Sequence, residues 1–203
     1  MPFQVEVVIS PNFHGCVEMA EDRGGMIMEF IGDEQTGETM PFGKVAYTGV
    51  PALTRRDWWK VAKDLVLAVQ YVHGQGYLLN DLKEDNVLLS RSDGNVWRAV
   101  IVDYGWVCHL SEPAHFDFSD LTKEKYVREQ LFDHIAPECA LLDEGTSTLS
   151  DVFQLGRLLR MAGARSGNMK LYSIGDSCCH STTMLRPSVA EVIQQMDHPA
   201  TSH

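Results

Sequence analysis

The sequence predicts an α+β fold whose strands come first and whose chain is mostly helical after residue 53. Two short β-like runs, CVEMA at 16 to 20 and MIMEFI at 26 to 31, flank a polar, glycine-rich turn. From Thr54 the apolar spacing changes to that of a helix, with Trp58, Val61, Ala62, Leu65, Val66, Val69 and Val72 on one face. A second pair of β-like runs is inserted before a further series of helical patterns.

Taken in order, residues 3 to 9 alternate loosely and fit either a strand or the end of a helix. SPN at 10 to 12 makes a turn into the first hairpin, and residues 32 to 44, rich in Gly and polar side chains, read as a connector. Thr54 with Asp57 three residues later is an N-cap arrangement, and Gly74 and Gly76 stop the helix. NVLLS and RAVIVDY around RSDGN predict a hairpin. Residues 109 to 135 are polar and irregular, include Pro113, and are long for a plain loop, a length usual for a functional segment. Ser150 and Asp151 open a helix to about Met161, with Val152, Leu155, Leu158 and Leu159 as its apolar face. Two shorter helices are expected near 170 to 179 and 187 to 196, the second with Pro187 in its first turn, before a tail.

A formal net charge of −11 over 203 residues argues against an electrostatic nucleic-acid footprint and against anionic membrane surfaces. Cys16, Cys108, Cys139, Cys178 and Cys179 are odd in number and scattered, which suits a reducing compartment better than a disulfide framework. Cys178-Cys179-His180 has no second Cys/His pair at finger-like spacing, so a buried helix end is the expectation there. With no basic leader and no apolar run of membrane-spanning length, a soluble cytoplasmic protein is expected.

The chemistry gathers at LLNDLKEDNVLL, residues 78 to 89, where charged and amide side chains sit in a run of leucines. Leu79-Asn80-Asp81-Leu82-Lys83-Glu84-Asp85-Asn86 resembles the H-R-D-L-x-x-x-N catalytic loop of eukaryotic protein kinases. Asp103-Tyr104-Gly105 follows as a variant of D-F-G, then Ala136-Pro137-Glu138 as A-P-E, with YVHGQGY, SDVFQLGRLL and LRPS in family order. The resemblance runs from about residue 10 to 197. It implies a protein-kinase-like fold, mainly the helical large lobe with a residual small-lobe hairpin and hinge. Residues 1–31 would be the small-lobe remnant (the end of a helix, two strands and the hinge). Residues 32–53 would be a connector, 54–197 the large lobe and 198–203 a tail.

The resemblance also implies roles. Asp81 would accept the proton of a substrate hydroxyl and Lys83 would place positive charge near the transferred phosphate, in a reaction that needs positioning and charge neutralisation. Asn86 and Asp103 would bind Mg²⁺, a hard cation suited to their oxygens. Met28 as gatekeeper, Glu29, Phe30 and Ile31 as hinge, and Leu88 would line the ATP site. Glu138 with Arg186 would tie the activation segment to the late helices, and Asp151 would hold the catalytic loop. Each polar residue also has a plainer reading: Asp81 and Asn86 as turn residues, Lys83 as a surface ion pair, Met28 as core.

Four departures bear on function. The family's glycine-rich loop, its phosphate-pairing Lys and that lysine's Glu partner have no match, and Lys44 and Lys60 fall too late to replace the Lys. Leu79 and Asn80 stand for His and Arg, so Asn80 is not expected to grip a phosphate, which leaves Ser119, Thr122 and Tyr126 weak as switch sites. Asp103 to Glu138 holds about 36 residues, while Asp151 and Arg186 are only about 35 apart, short by a docking helix. The expected function is ATP-dependent phosphoryl transfer to serine or threonine hydroxyls of proteins, weakened or lost, with ATP and Mg²⁺ if active. The alternative is a catalytically inactive pseudokinase that binds a protein partner as a scaffold or regulator; an unrelated soluble domain is the third reading.

Overall fold

The computed structural model describes residues 11–19, 23–32, 37–91, 96–130 and 132–198, with 13–28 described by their backbone alone. The expectations for residues 3 to 9, for the turn at 92–95 and for the tail lie outside these. Phe13–Met19 (β1) and Arg23–Met28 (β2) pair antiparallel with Cys16 opposite Met26, forming the expected first hairpin.

The stretch expected to be a connector holds a helix, Phe42–Thr48 (α1). Phe42, Val45 and Ala46 follow the i, i+3, i+4 rule and are buried, but the helix is too short to announce itself by period. It sits against the catalytic-loop region: Gly43 N–H donates to the Glu84 carbonyl at 3.2 Å and Leu89 N–H to that of Met40 at 2.8 Å. Arg55–Gly74 (α2) begins at Thr54, whose side chain accepts from Asp57 N–H while the Asp57 carboxylate accepts from Thr54 N–H. Such a cap stabilises a helix by about 1 kcal/mol.

Tyr77–Leu78 (β3) precedes the second hairpin, Val87–Arg91 (β4) paired with Trp97–Ile101 (β5), Val87 opposite Ile101. Cys108–His109 (β6) returns to pair with β3. The expected long loop is interrupted by Asp120–Glu129 (α3), capped by the Ser119 hydroxyl. None of its residues is buried, so it lacks the apolar stripe by which a helix is read. Pro137–Leu141 (α4) follows, with Pro at its first position.

Thr148–Ser166 (α5) starts before Ser150 and continues beyond Met161, because Ser147 and Ser150 form its capping box and Gly167 ends it in the left-handed conformation. Met169–Cys178 (α6) and Val189–Asp197 (α7) complete the helices, separated by a 3₁₀ turn at Thr183–Leu185. Ser188 caps α7, so Pro187 precedes the cap instead of lying in the first turn. Glycines let α5 and α6 approach closely: a Cβ on Gly163 would lie 2.4 Å from the Tyr172 amide nitrogen.

The main core packs α1, α2, β4, β5, α5, α6 and α7 around Trp58, Leu65, Leu82, Leu155 and Leu159, with the Phe42 and Trp58 rings edge to face at 5.5 Å. A smaller cluster of Ile135, Ala136, Cys139, Ala140 and Phe153 joins α4 to α5. Among the described residues no helix is long and apolar enough to cross a membrane.

Candidate active site

The loop after β3 is held from below by α5. Asp151, fully buried, accepts from Leu79 N–H at 2.8 Å, Asn80 N–H at 2.9 Å and the His73 ring at 2.8 Å. One turn on, Gln154 accepts from Leu82 N–H at 2.8 Å and donates to the Asn80 carbonyl at 2.7 Å. Two polar side chains at i and i+3 on a buried helix face thus satisfy four backbone groups of a loop that would otherwise be orphaned. The apolar residues around the polar ones have a direct use: Leu78, Leu79, Leu82, Val87 and Leu89 are all buried and seat the loop in the core.

On that base Asp81 collects donors. Lys83 Nζ lies 2.7 and 3.0 Å from its two carboxylate oxygens, and Asn86 Nδ2 donates to Oδ2 at 2.8 Å and to the Asp81 carbonyl at 2.9 Å. His134, from the segment before α4, donates through Nε2 to Oδ1 at 3.1 Å. Burial alone would push the Asp81 carboxyl up. The hydrogen bonds from His134 and Lys83, with the lysine charge, outweigh it and hold the carboxyl below its ordinary value. Asp81 is therefore ionised near neutrality and can only accept protons or hydrogen bonds.

Asn86 and Asp103 come together through the hairpin: Val102 N–H donates to the Asn86 carbonyl at 3.1 Å, which sets Asp103 beside it. Asn86 spends its amide nitrogen on Asp81, so its side-chain oxygen faces away from that bond. Asp103 accepts from Gly105 N–H with Oδ1 at 2.9 Å and is exposed. An amide oxygen and a carboxylate are a donor set that fits Mg²⁺. Leu88 is only half-buried between buried Val87 and Leu89, and the period of two turns it to the opposite face of β4.

Met28 ends β2, and its side chain lies outside what is described. Glu29 is engaged with Asn12, Phe30 is exposed and Ile31 is buried. Among the described residues no hydrogen bond links Glu29, Phe30 or Ile31 to the Asp81 group. Farther along, Glu138 and Arg186 form a buried two-pronged pair at 2.6 and 2.7 Å, and Arg186 also donates to the Leu149 and His180 carbonyls.

The family model described as protein kinase domain matches residues 12–165, the span that contains this whole arrangement apart from Arg186. The chain belongs to the protein kinase family. The kinase domain is 33% identical over 100 residues to the serine/threonine-protein kinase PknD of Chlamydia pneumoniae, covering 45% of this chain and 10% of that protein. It is 26% identical over 147 residues to a Dictyostelium discoideum protein named "Probable serine/threonine-protein kinase", 72% of this chain and 21% of the relative. Nucleosomal histone kinase 1 of Drosophila melanogaster matches at 32% over 87 residues, 43% of this chain and 12% of the relative. The chain thus spans about a tenth to a fifth of the length of these curated relatives. The family generally uses ATP and Mg²⁺ and acts on protein substrates.

Within the kinase domain, Asn80 does something the sequence did not reveal. It is fully buried with φ 66°, a left-handed conformation that Asn tolerates, and its side chain donates to the Trp106 carbonyl at 2.7 Å and to Cys108 Sγ at 3.1 Å. An uncharged side chain at this position thereby ties the loop after β3 to the segment after β5. Among the described residues its own Oδ1 is buried without a partner. His73, Gln154 and His134 were missed as well; only the apolar context of Gln154 hinted at a buried polar role.

The weak switch candidates have structural partners: the Ser119 and Thr122 hydroxyls bond each other at 2.9 Å, and the Tyr126 hydroxyl donates to the Ile135 carbonyl at 2.8 Å. Burial pushes the Tyr126 phenol up to about 12. Cys178 lies in the core, and among the described residues no three His, Cys, Asp or Glu gather as a metal set. A cavity of about 680 Å³ is lined by Tyr126, Phe153, Arg157, Arg160 and Tyr172, and includes none of the catalytic-loop residues.

Proposed function

We propose that this kinase domain carries the acceptor-side and metal-binding chemistry of ATP-dependent phosphoryl transfer to serine or threonine hydroxyls. The observation that carries this is the Asp81 carboxylate, ionised, oriented by Asn86 and Lys83 and set on a loop bonded to Asp151 and Gln154. Asp81 takes the proton of the incoming hydroxyl. Lys83, bonded to both Asp81 oxygens, sets its charge beside the transferred phosphate without leaving Asp81, and Asn86 keeps Asp81 in place. Asn86 and Asp103 would hold Mg²⁺, which would supply charge neutralisation at the phosphates when bound with ATP. The relatives' names as serine/threonine-protein kinases support the serine/threonine assignment.

A non-catalytic scaffold is the second reading, favoured by two features: the sequence carries no match to the family's glycine-rich loop and phosphate-pairing Lys, and every side of the Asp81 carboxylate is already engaged by Lys83, Asn86 and His134. Titration with Mg-ATP followed by thermal shift, and transfer to a serine/threonine peptide library, separates the two. Stabilisation lost in Asp103→Asn, with transfer reduced at least about 100-fold in Asp81→Asn, is expected. No stabilisation and no transfer leaves the scaffold reading; transfer that persists in Asp81→Asn removes Asp81 from the mechanism.

A further inference from the structure

We propose that His134 is a latch on the acceptor side of this site: its bond to Asp81 fills the place an incoming hydroxyl needs and must open before transfer. This rests on the phosphoryl-transfer reading above. An ionised carboxylate offers about four lone-pair sites. On Asp81, Oδ1 receives Lys83 and His134, and Oδ2 receives Lys83 and Asn86, so all four are used. An acceptor hydroxyl must displace one of these donors.

The three donors are not equally removable. Lys83 and Asn86 belong to the same loop as Asp81, and Asn86 also bonds the Asp81 main chain, so losing it would unmake the loop. Lys83 has its own task at the phosphate. His134 comes from 53 residues away and its departure leaves the loop and its α5 supports untouched. Asp151 and Gln154 hold the main chain of residues 79 to 82 without it.

The segment that presents His134 is built to move on one side and to stay on the other. Gln130 and Phe132 have φ of 54° and 58°. Left-handed backbone at an aromatic residue is strained and persists only where surrounding contacts impose it. Those contacts are ring contacts, with Phe132 5.6 Å from Phe118 and 6.5 Å from His134 by centroid, the Ile135 N–H bond to the Phe132 carbonyl at 2.8 Å, and a partly exposed ion pair of Asp133 with Arg157 on α5. Phe132 itself remains 44% exposed. Immediately after His134 the chain is anchored, with Ile135 and Ala136 buried and the Ile135 carbonyl accepting from Tyr126. Relaxation at Gln130 and Phe132, with release of the partly exposed Asp133–Arg157 pair, therefore swings His134 off Asp81 without disturbing α4.

The test uses the full chain and His134→Ala, with His134→Gln as the variant whose amide can still donate to Oδ1. Steady-state kinetics on an acceptor peptide and hydrogen exchange of residues 130 to 136 are both measured. His134→Ala should raise kcat/KM for the peptide about tenfold, the effect of losing one charge-assisted hydrogen bond. The KM for ATP should stay as in the wild type, exchange at 132 to 135 should accelerate, and His134→Gln should restore both readouts. A peptide kcat/KM that is unchanged or lower in His134→Ala overturns the latch. If no variant transfers phosphate, the phosphoryl-transfer reading falls and exchange alone judges the contact: acceleration in both His134→Ala and Asp81→Ala supports it, and no change overturns it.

Discussion

Replacing Asp151 by Asn tests whether the catalytic loop is held by a buried carboxylate or merely lies over one. Asp151 has no exposed surface and serves three donors, Leu79 N–H, Asn80 N–H and His73. An amide has a single oxygen. Turned to Asn80, it keeps that bond in a weaker, neutral form, at a loss of about 1 kcal/mol. Its NH₂ then confronts the Leu79 N–H, donor against donor, and a buried donor left without a partner costs about 1–3 kcal/mol. The His73 ring can offer a lone pair to the new amide and contributes little. The sum is about 2–4 kcal/mol, which in a chain of this size lowers Tm by about 4–16 °C. Urea unfolding should show a lower midpoint at unchanged slope, and hydrogen exchange should show lost protection at Leu79 in particular. A loss under about 1 kcal/mol with Leu79 still protected would refute the reasoning, because the loop would then owe its geometry to packing alone.

Arg186→Met strands Glu138, only 5% exposed, and two main-chain carbonyls, so a loss of about 3–5 kcal/mol is expected. The double variant with Glu138→Gln should cost less than the sum of the singles in a double-mutant cycle, and strict additivity would argue that the pair does not act as one. Burial pushes the Cys139 and Cys178 thiols up to about 12 from 9.0. At pH 8 each is then thiolate about once in ten thousand, so iodoacetamide should spare both in the native protein and label them after denaturation. Because the unfolded thiols ionise first, the stability these groups contribute is full below pH 9 and is lost as pH rises toward 12. Native labelling of either at the rate of a free thiol would contradict their placement, as would stability that holds constant over that window.

What could be read from the residues alone was whatever a short stretch decides for itself. The α2 period, its Thr54–Asp57 cap, both hairpins and the order of the kinase motifs depend on neighbours within a few positions, so local pattern carries them. α3 escaped because it buries nothing, and burial is what writes a period into a helix. α1 escaped because seven residues are too few to show one. The site divides in the same way. That Asp81, Lys83, Asn86 and Asp103 belong together followed from the resemblance of their motifs to the kinase family, whose model matches the domain that holds them.

Which donors meet the carboxylates was a different matter. Gln154 reaches the loop across 72 and 74 residues, and His134 reaches Asp81 across 53. Asn80 finds the Trp106 carbonyl across 26, at a position where the motif alone reported only a missing arginine. Hydrogen bonds at such separations are set by where the core brings segments to rest, and no local preference encodes them. The sequence by itself determined the family this chain belongs to and the motifs it carries. Only the tertiary structure decided how the lone pairs of Asp81 are occupied, because that count depends on a histidine arriving from the far end of the activation segment.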